Sequence, residues 1–298
     1  MSTVLESLSN ELAAVVVAAG ASIVRVEGRR RQAASGVIWS EDGIIITAHH
    51  VVERDENIGV GLPDGSRLPA QLVGRDPSTD LAVLRVGTNG LTPAKWAAGD
   101  TLRVGHLVLA AGRPEEQVQA TLGVISALEG EWRTRAGGAI DAYVQTDVVM
   151  YPGFSGGPLV SAASEFAGIN SSALLRGLSI TIPAATIQRV AGALLAHGKI
   201  TRGFLGVSAQ PVRLPAAIAA QMAQETGLLL VAVEGDSPAE RGGLLLGDTL
   251  LSVDDAPVRH MDDLLAVLGS DRIGRAVPVR VLRGGQVQTL QVTIGARA

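Results

Sequence analysis

Short apolar segments separated by turn residues fill most of the chain, a pattern typical of proteins built from many β-strands. In the first 182 residues the pattern predicts strands at 22–26, 35–39, 44–47, 66–73, 81–86, 106–111, 119–127, 142–150, 159–168 and 178–182. Because the strands are short and helix is scarce, the pattern favours β-barrels or sandwiches over a parallel α/β sheet.

Helical periodicity is clear over 184–197, where Ile187, Val190 and Leu194 share one face and Gly198 follows as a C-cap signal. A shorter amphipathic helix is predicted over 7–19. A boundary is predicted after residue 200, which divides the chain into domains 1–200 and 203–298.

The second region mixes the two periodicities, as a small α+β domain does. It predicts strands at 204–209, 227–233, 249–253, 276–282 and 286–294, and helices at 214–224, from 237 onwards and at 261–268.

Composition fits two globular domains, since 298 residues with 47% hydrophobic and 18% charged side chains can bury a sizeable core. The net charge of −4 gives no electrostatic reason to expect nucleic acid. The chain has no cysteine, and its five histidines lack a metal-type spacing, so no cofactor or metal is predicted.

The apolar run 12–24 is too short to span a bilayer. The residues before it lack the basic region and cleavage site of a signal peptide. As written, the sequence therefore predicts a cytoplasmic protein, with the cell envelope as the alternative if residues are missing from the start.

A serine lies among glycines in the segment Gly153-Phe154-Ser155-Gly156-Gly157. Glycines permit a tight turn with exposed amides, which suits an acyl-transfer nucleophile, although ordinary loops also have this composition. His50 and Asp80 precede Ser155 in the chain, each at the end of a predicted strand. A serine needs a histidine to accept its proton and a carboxylate to orient that histidine, so the three residues form a candidate triad.

Four segments carry a family resemblance: 35–38 (SGVI), 42–52 (DGIIITAHHVV), 79–84 (TDLAVL) and 153–159 (GFSGGPL). Together they resemble the HtrA (Deg) family over essentially the whole chain. Residues 1–200 look like its trypsin-like protease domain and residues 203–298 like its PDZ domain. The resemblance implies a mainly β fold, in which a chymotrypsin-like double β-barrel precedes an α+β PDZ domain.

By this resemblance Ser155 is the nucleophile, His50 the general base and Asp80 the residue that orients His50. The backbone N–H groups of Gly153 and Ser155 are expected to form the oxyanion hole. His49 stands where the family has alanine, so a structural role is expected for it.

Substrate preference is predicted from residues that should line the specificity pocket. Val149 stands six residues before the serine, where basic-specific relatives have aspartate, and Met150 follows it. Leu178 and Ile180 are expected to form the opposite wall. A pocket without buried charge predicts small or medium apolar residues at P1, the substrate residue before the cleaved bond.

The PDZ resemblance lies in the segment Phe204-Leu205-Gly206-Val207. It implies that backbone amides of this segment capture a chain-terminal carboxylate while the next strand pairs with a peptide. Leu264 and Val267, with Leu265 between them, are expected to line the other wall of that groove, although such leucines also serve as core.

Two departures from the family leave alternatives open. Phe154 and Tyr151 replace asparagines beside the nucleophile, and a bulky ring there could flip the Gly153 amide. Family trimers are commonly held by aromatic residues near the N-terminus, whereas the first aromatic residue here is Trp39. A homo-oligomer is therefore an open question, and a family-type trimer is in doubt.

The sequence favours an ATP-independent serine endopeptidase of misfolded or unstructured proteins, whose partners are polypeptide substrates and C-terminal peptides. The alternative is a catalytically impaired scaffold or holdase with a peptide-binding PDZ domain. An esterase acting on small molecules fits poorly, because neither the triad order nor the strand pattern suits an α/β-hydrolase.

Overall fold

The structure, a computed structural model, describes residues 3–30, 32–97, 102–269 and 272–297. The chain forms two compact units that divide between Ile200 and Thr201.

The first unit begins with helix α1 (Val4–Gly20). Thr3 caps it: its hydroxyl accepts from the Glu6 N–H at 3.2 Å, and the Glu6 carboxylate accepts from the Thr3 N–H at 3.4 Å. This capping box explains why the helix begins earlier than its apolar periodicity predicts. Within the described ranges, no helix is both long and apolar enough to cross a membrane.

The first barrel closes in the order β1-β2-β3-β6-β5-β4. Its strands are β1 (Ile23–Glu27), β2 (Ala34–Ile38), β3 (Ile44–Ala48), β4 (Ile58–Gly61), β5 (Arg67–Asp76) and β6 (Leu81–Val86). β2 and β3 are buried on both faces: Ile38 and Ile45 fill the barrel, whereas Val37 and Ile46 join a second core cluster. This double burial explains why their sequences read as continuous apolar runs.

The second barrel closes in the order β11-β14-β13-β12-β7-β8. Its strands are β7 (Leu107–Gly112), β8 (Gln119–Glu129), β11 (Tyr143–Thr146), β12 (Pro158–Ser161), β13 (Phe166–Ser171) and β14 (Ser179–Pro183). A small hairpin of β9 (Trp132–Arg133) and β10 (Ala139–Ile140) lies outside this barrel. Helix α2 (Ala184–His197) follows and ends at Gly198, whose φ is 71°. The predicted double β-barrel is confirmed.

In the two barrels, two strand predictions were wrong and one strand was not predicted. The segment 159–168 is a hairpin rather than one strand, because the chain reverses at Ser164, where φ is 60°. The segment 142–150 leaves the sheet after Thr146 and continues as the loop that leads to Ser155. Strand β4 was not predicted, since its alternating glycines weaken the apolar signal.

The second unit is an α+β domain, as its mixed periodicities predict. Its strands are β15 (Arg202–Phe204), β16 (Val207–Arg213), β17 (Thr226–Val233), β18 (Thr249–Val253), β19 (Ala256–Pro257), β20 (Ala276–Arg283), β21 (Gln286–Thr293) and β22 (Gly295–Arg297). Its helices are α3 (Ala216–Met222), α4 (Pro238–Arg241) and α5 (Met261–Val267). The main sheet runs β16-β17-β18-β20-β21, so β16 is an edge strand, and α5 packs near it.

Candidate active site

His50 and Asp80 meet where two neighbouring strands of the first barrel end. β3 ends at Ala48 and pairs there with Leu81, and a turn of 3₁₀ helix (His49–Val51) then carries the histidine. The His50 Nδ1 atom lies 2.8 Å from Asp80 Oδ2, and the His50 backbone N–H donates to Asp80 Oδ1 at 2.9 Å. An Nδ1–H that donates to a carboxylate leaves Nε2 as the proton acceptor, which is the tautomer a general base needs.

Two consecutive serines at the end of β13 connect Asp80 to the nucleophile. The Ser171 hydroxyl donates to Asp80 Oδ2 at 2.5 Å, and the Ser172 hydroxyl lies 3.0 Å from the Ser155 hydroxyl. The structure thus brings His50, Asp80 and Ser155 to one site. Among the hydrogen bonds of the described residues, Ser155 Oγ bonds to Ser172 and not to His50.

Sequence reasoning missed both Ser171 and Ser172. The signal that could have found them is a pair of hydroxyl residues at the end of a fully buried strand in the second half of the protease domain. That signal is weak alone, because serine is common where strands end.

The backbone before Ser155 forms a tight turn that exposes two amides. The Phe154 N–H donates to Tyr151 O at 3.0 Å, and Gly153, the third residue of the turn, has φ 92°. A positive φ at this position with proline before it defines a type II turn. Neither Gly153 N–H nor Ser155 N–H donates to any described residue, so both are available to an oxyanion.

The carbonyl groups of this turn are held by the first barrel. The Ser35 hydroxyl donates to Gly153 O at 2.7 Å, and the Ser35 N–H donates to Ser155 O at 3.2 Å. The Gln32 side chain donates to Pro152 O at 3.1 Å. Because these three hydrogen bonds hold the carbonyl groups of the segment 152–155 from the first barrel, the orientation of its amides is set before any substrate binds.

Gly156 completes the contact between the two barrels. Its φ is 84°, and a Cβ atom there would lie 2.1 Å from Ser35 O. A side chain would separate the nucleophile from β2, so this position requires glycine.

Phe154 lies in the core of the second barrel. Its side chain is completely buried among residues that include Val148 and Leu159, and its ring makes an edge contact with Tyr151 at 5.8 Å between centroids. The ring therefore does not occupy the space beside Ser155, and the Gly153 amide is not blocked by it.

Ser35→Ala is expected to lower kcat about tenfold to a hundredfold with little change in KM. The substitution removes the bond that holds Gly153 O, so the turn samples orientations in which one oxyanion donor is lost, and losing a donor outright costs about 10²–10³. Steady-state kinetics on a peptide substrate measure the effect. Ser252→Ala is a matched control, since that buried hydroxyl has no hydrogen-bond partner in the part of the chain that the structure describes. A Ser35→Ala enzyme with unchanged kcat would contradict the positioning role.

Some of the predicted specificity residues lie at the surface, and others are buried. Val149 is 55% exposed and Leu178 40% exposed, Met150 is half-buried, and Ile180 has no accessible surface. The Ser179 hydroxyl donates to Val148 O at 2.9 Å, so strand β14 and the segment before Ser155 are neighbours. Because Ile180 offers no surface to a substrate, the prediction that it lines the pocket was wrong. Its buried side chain instead supports this wall from the core side.

His49 is half-buried. Its Nδ1 atom is buried and has no hydrogen-bond partner among the described residues, and burial lowers the pKa of its imidazole. A structural role stays the prediction for it. No group of three or more His, Cys, Asp or Glu side chains in the described part of the chain is arranged to hold a metal.

The predicted peptide-binding segment of the second unit exposes amides beside the edge strand. Leu205 N–H and Gly206 N–H donate to no described residue, and Gly206 has φ 83°. Leu205 is buried, while Phe204 and Val207 are half-buried. Amides in this position can donate hydrogen bonds to a chain-terminal carboxylate, and the strand edge that follows can pair with a peptide as a β-strand.

The residues that helix α5 exposes differ from those predicted to line the groove. Leu264 and Val267 are 2% and 6% exposed and belong to the core of the PDZ unit, so they do not line an open groove. Leu265 is half-buried and lies outside that core cluster. The prediction was wrong for the first two because helical spacing alone does not tell which apolar stripe faces the sheet.

Two barrels that meet at a serine, a histidine and an aspartate, followed by a PDZ unit, define a trypsin-like serine peptidase with a PDZ domain. Comparison with known families agrees: a trypsin-like peptidase domain matches residues 34–169 and a PDZ domain matches residues 203–294. The chain belongs to the HtrA family of serine proteases.

Solved structures of this family superpose on nearly the whole chain. The HtrA-type protease AlgW with a decapeptide has 30% identity and a TM-score of 0.78, over 96% of this chain and 98% of that one. The serine endoprotease from Yersinia pestis has 32% identity and a TM-score of 0.78, over 97% and 98%.

Curated relatives are longer proteins. Probable periplasmic serine endoproteases, DegP-like, match from Pseudomonas fulva (39% identity over 90% of this chain) and from Pseudomonas savastanoi pv. phaseolicola (40% over 88%). The chain spans 57% and 55% of their respective lengths.

The names of these relatives correct the predicted compartment. Both are called periplasmic, which points to the cell envelope, so the expectation of a cytoplasmic protein was wrong. That expectation rested only on the length of the apolar run 12–24 and on the lack of a basic region in the residues before it.

Proposed function

We propose that the chain is a serine endopeptidase that cleaves misfolded or unstructured polypeptides without ATP, with Ser155, His50 and Asp80 as its catalytic triad. The observation that carries the proposal is a set of three hydrogen bonds, His50 to Asp80, Ser171 to Asp80 and Ser172 to Ser155. Beside them lie the Gly153 and Ser155 amides, which donate to no residue that the structure describes. Peptide hydrolysis is downhill in water, so the reaction needs no nucleotide.

The chemistry begins when the Ser155 hydroxyl leaves Ser172 and turns to His50 Nε2. Its oxygen attacks the substrate carbonyl carbon, its proton passes to Nε2, and the carbonyl electron pair moves onto an oxyanion that Gly153 N–H and Ser155 N–H stabilise. Nε2 then protonates the leaving nitrogen as the C–N bond breaks. Water repeats the sequence on the acyl-enzyme and restores Ser155.

A covalent probe tests this function. A fluorophosphonate should label the wild-type chain, and mapping of the adduct should find it on Ser155, because only a serine activated by its base reacts quickly. The Ser155→Ala variant is the matched control and should stay unlabelled. Labelling that persists in Ser155→Ala would contradict the assignment of the nucleophile.

A second candidate function is a non-catalytic scaffold or holdase that binds peptides through its PDZ domain. It is favoured by one observation, the bond of Ser155 Oγ to Ser172 rather than to His50. Apo sites often tighten only around a substrate, so this bond weighs less than the intact triad. A folded wild-type chain that resists the probe at every pH from 6 to 9 would favour the scaffold.

The PDZ domain is proposed to bind C-terminal or exposed apolar segments of substrates or regulators. Support comes from the free amides of Leu205 and Gly206 and from the unpaired edge of β16. The related AlgW is described in complex with a decapeptide and with a tripeptide.

Peptides with valine at P1 are expected to be cleaved with at least about tenfold higher kcat/KM than matched peptides with arginine. Val149, Met150 and Leu178 supply no carboxylate, so a guanidinium entering their pocket would lose water without gaining an ion pair. Paired fluorogenic peptides measure the ratio. Val149→Asp should move it toward arginine, and a wild-type preference for arginine would refute the pocket.

A further inference from the structure

A pocket lined mainly by arginines opens beside the hairpin that joins β1 to β2. Its volume is about 400 Å³, and its lining includes four guanidinium groups and one carboxylate: Arg25, Arg29, Arg30, Arg54 and Glu27. The chain as a whole carries a net charge of −4, so this local excess of positive charge has the opposite sign to the molecule. We call it the arginine pocket.

The carboxylate of the arginine pocket is already neutralised. Glu27 forms ion pairs with Arg25 at 2.5 Å and with Arg67 at 2.6 Å. The hydrogen bond from Arg67 is the main cause that holds the pKa of the Glu27 carboxyl below its usual range. Glu27 therefore stays ionised and paired, and it is not available to the remaining arginines.

Three arginines of the pocket have no anionic partner among the residues that the structure describes. Arg29 donates to Gln32 O at 2.7 Å and Arg54 donates to Glu27 O at 2.9 Å, both backbone carbonyls. Neither these two nor Arg30 forms an ion pair with any residue that the structure describes. The Nε atom of Arg54 is also buried, and no described residue offers it an acceptor. A buried charged donor without a partner is unfavourable, so the pocket is suited to an anion.

The arginine pocket adjoins the turn that carries the oxyanion donors. Gln32 and Ala33 belong to its lining, and the Gln32 side chain donates to Pro152 O. Ala33 O lies 2.9 Å from the point where a Cβ on Gly153 would be. The pocket and the oxyanion turn therefore share one stretch of backbone.

A separate set of contacts links Ser155 to the proposed P1 pocket. Ser172 contacts the nucleophile, and the preceding Ser171 pairs with Ile180 in β14, the strand that follows Leu178. With the P1 side chain assigned to Leu178, the acyl half of a substrate is assigned to the Ser172 side. The leaving half is then assigned to the side of Gln32 and Ala33, which contact the oxyanion turn from the first barrel.

We propose that the arginine pocket binds acidic side chains of the substrate within the first few residues on the C-terminal side of the cleaved bond. The inference rests on the proposed protease function and adds a preference for negatively charged substrate residues after the cleaved bond. Guanidinium groups pair with carboxylates through two parallel hydrogen bonds, so glutamate and aspartate are the side chains that the pocket fits best.

Three peptides test the pocket. They share the same residues up to the cleaved bond, with valine at P1, and carry Glu-Glu, Gln-Gln or Lys-Lys at the second and third positions after it. With the full chain at low salt, kcat/KM is expected to be about fivefold higher for the glutamate than for the glutamine peptide, and lowest for the lysine peptide. High salt should reduce the preference, because partly exposed charges are screened.

Arg30→Glu should abolish or reverse the preference, because it replaces a positive charge of the pocket by a negative one. Arg30 is exposed and makes no hydrogen bond to another described residue, so the change should not disturb the fold. Arg135→Glu makes the same charge change at another exposed arginine of the same domain and should leave the ratio unchanged. Equal cleavage of the three peptides, or a preference that survives in Arg30→Glu, would overturn the pocket while the protease function stands. No cleavage of any peptide would contradict the protease function and the pocket with it.

Discussion

The Asp80→Asn variant is expected to remain folded while its kcat falls about 10⁴-fold. The aspartate of a serine triad holds the histidine in the tautomer that accepts the serine proton, and asparagine cannot do so. Asp80 is 4% exposed and accepts hydrogen bonds from the backbone and ring of His50 and from the Ser171 hydroxyl. An asparagine amide in the same place would present an NH₂ group to His50 Nδ1. The imidazole would then carry its proton on Nε2, where it could no longer accept the proton of Ser155.

Comparison with the Ser171→Ala variant distinguishes this tautomer effect from a general loss of order in the site. It removes one hydrogen bond to Asp80 but leaves both carboxylate oxygens as acceptors, so we expect a loss of about tenfold. Steady-state kinetics and thermal unfolding should be measured on both variants. An Asp80→Asn enzyme that keeps more than a tenth of its activity would refute the role given to Asp80.

Phe154→Ala is expected to lower the free energy of unfolding of the protease domain by about 3–5 kcal/mol. Phe154 is one of the largest completely buried side chains, and it packs inside the second barrel with Val108, Ile125 and Val148. Its removal leaves a cavity directly beneath the turn that exposes the oxyanion amides. Fluorophosphonate labelling of Ser155 should therefore slow as well, because the turn loses the side chain that anchors it.

Denaturant unfolding of the full chain, followed at the protease domain, measures this loss. Tyr151→Ala is a suitable control, since Tyr151 is 54% exposed and contacts the same ring from outside. We expect it to cost less than about 1 kcal/mol, as surface substitutions do. A Phe154→Ala protein as stable as the wild type would mean that the ring does not anchor the turn.

The arrangement around Phe154 also bears on how this turn is held. Asparagine stands here in the family pattern, whereas in this chain an apolar ring enters the core and Ser35 and Gln32 hold the carbonyl groups from the other barrel. Gly112 makes room for the ring, because a Cβ there would lie 3.1 Å from Phe154 Cδ1. The substitution that suggested an impaired enzyme is thus accommodated by burial.

Local sequence determined much of this protein. Period-two and continuous apolar runs predicted most strands of both barrels, since each strand buries one or both faces. Gly198 predicted the end of α2, because an αL residue there terminates a helix. The triad candidates were also local, as each lies where an apolar run meets a turn.

Only the tertiary structure decided which distant groups meet. The contacts of Ser35 with Gly153 and of Ser171 with Asp80 join residues 118 and 91 positions apart, and no periodicity encodes such pairings. Periodicity also did not show which side chains face solvent. Leu264 and Val267 face the core, and Phe154 points inward rather than into the site. The sequence determined the elements and the reactive residues, because propensity and turn chemistry are local. Their orientation was decided by packing, which depends on what the rest of the chain brings beside them.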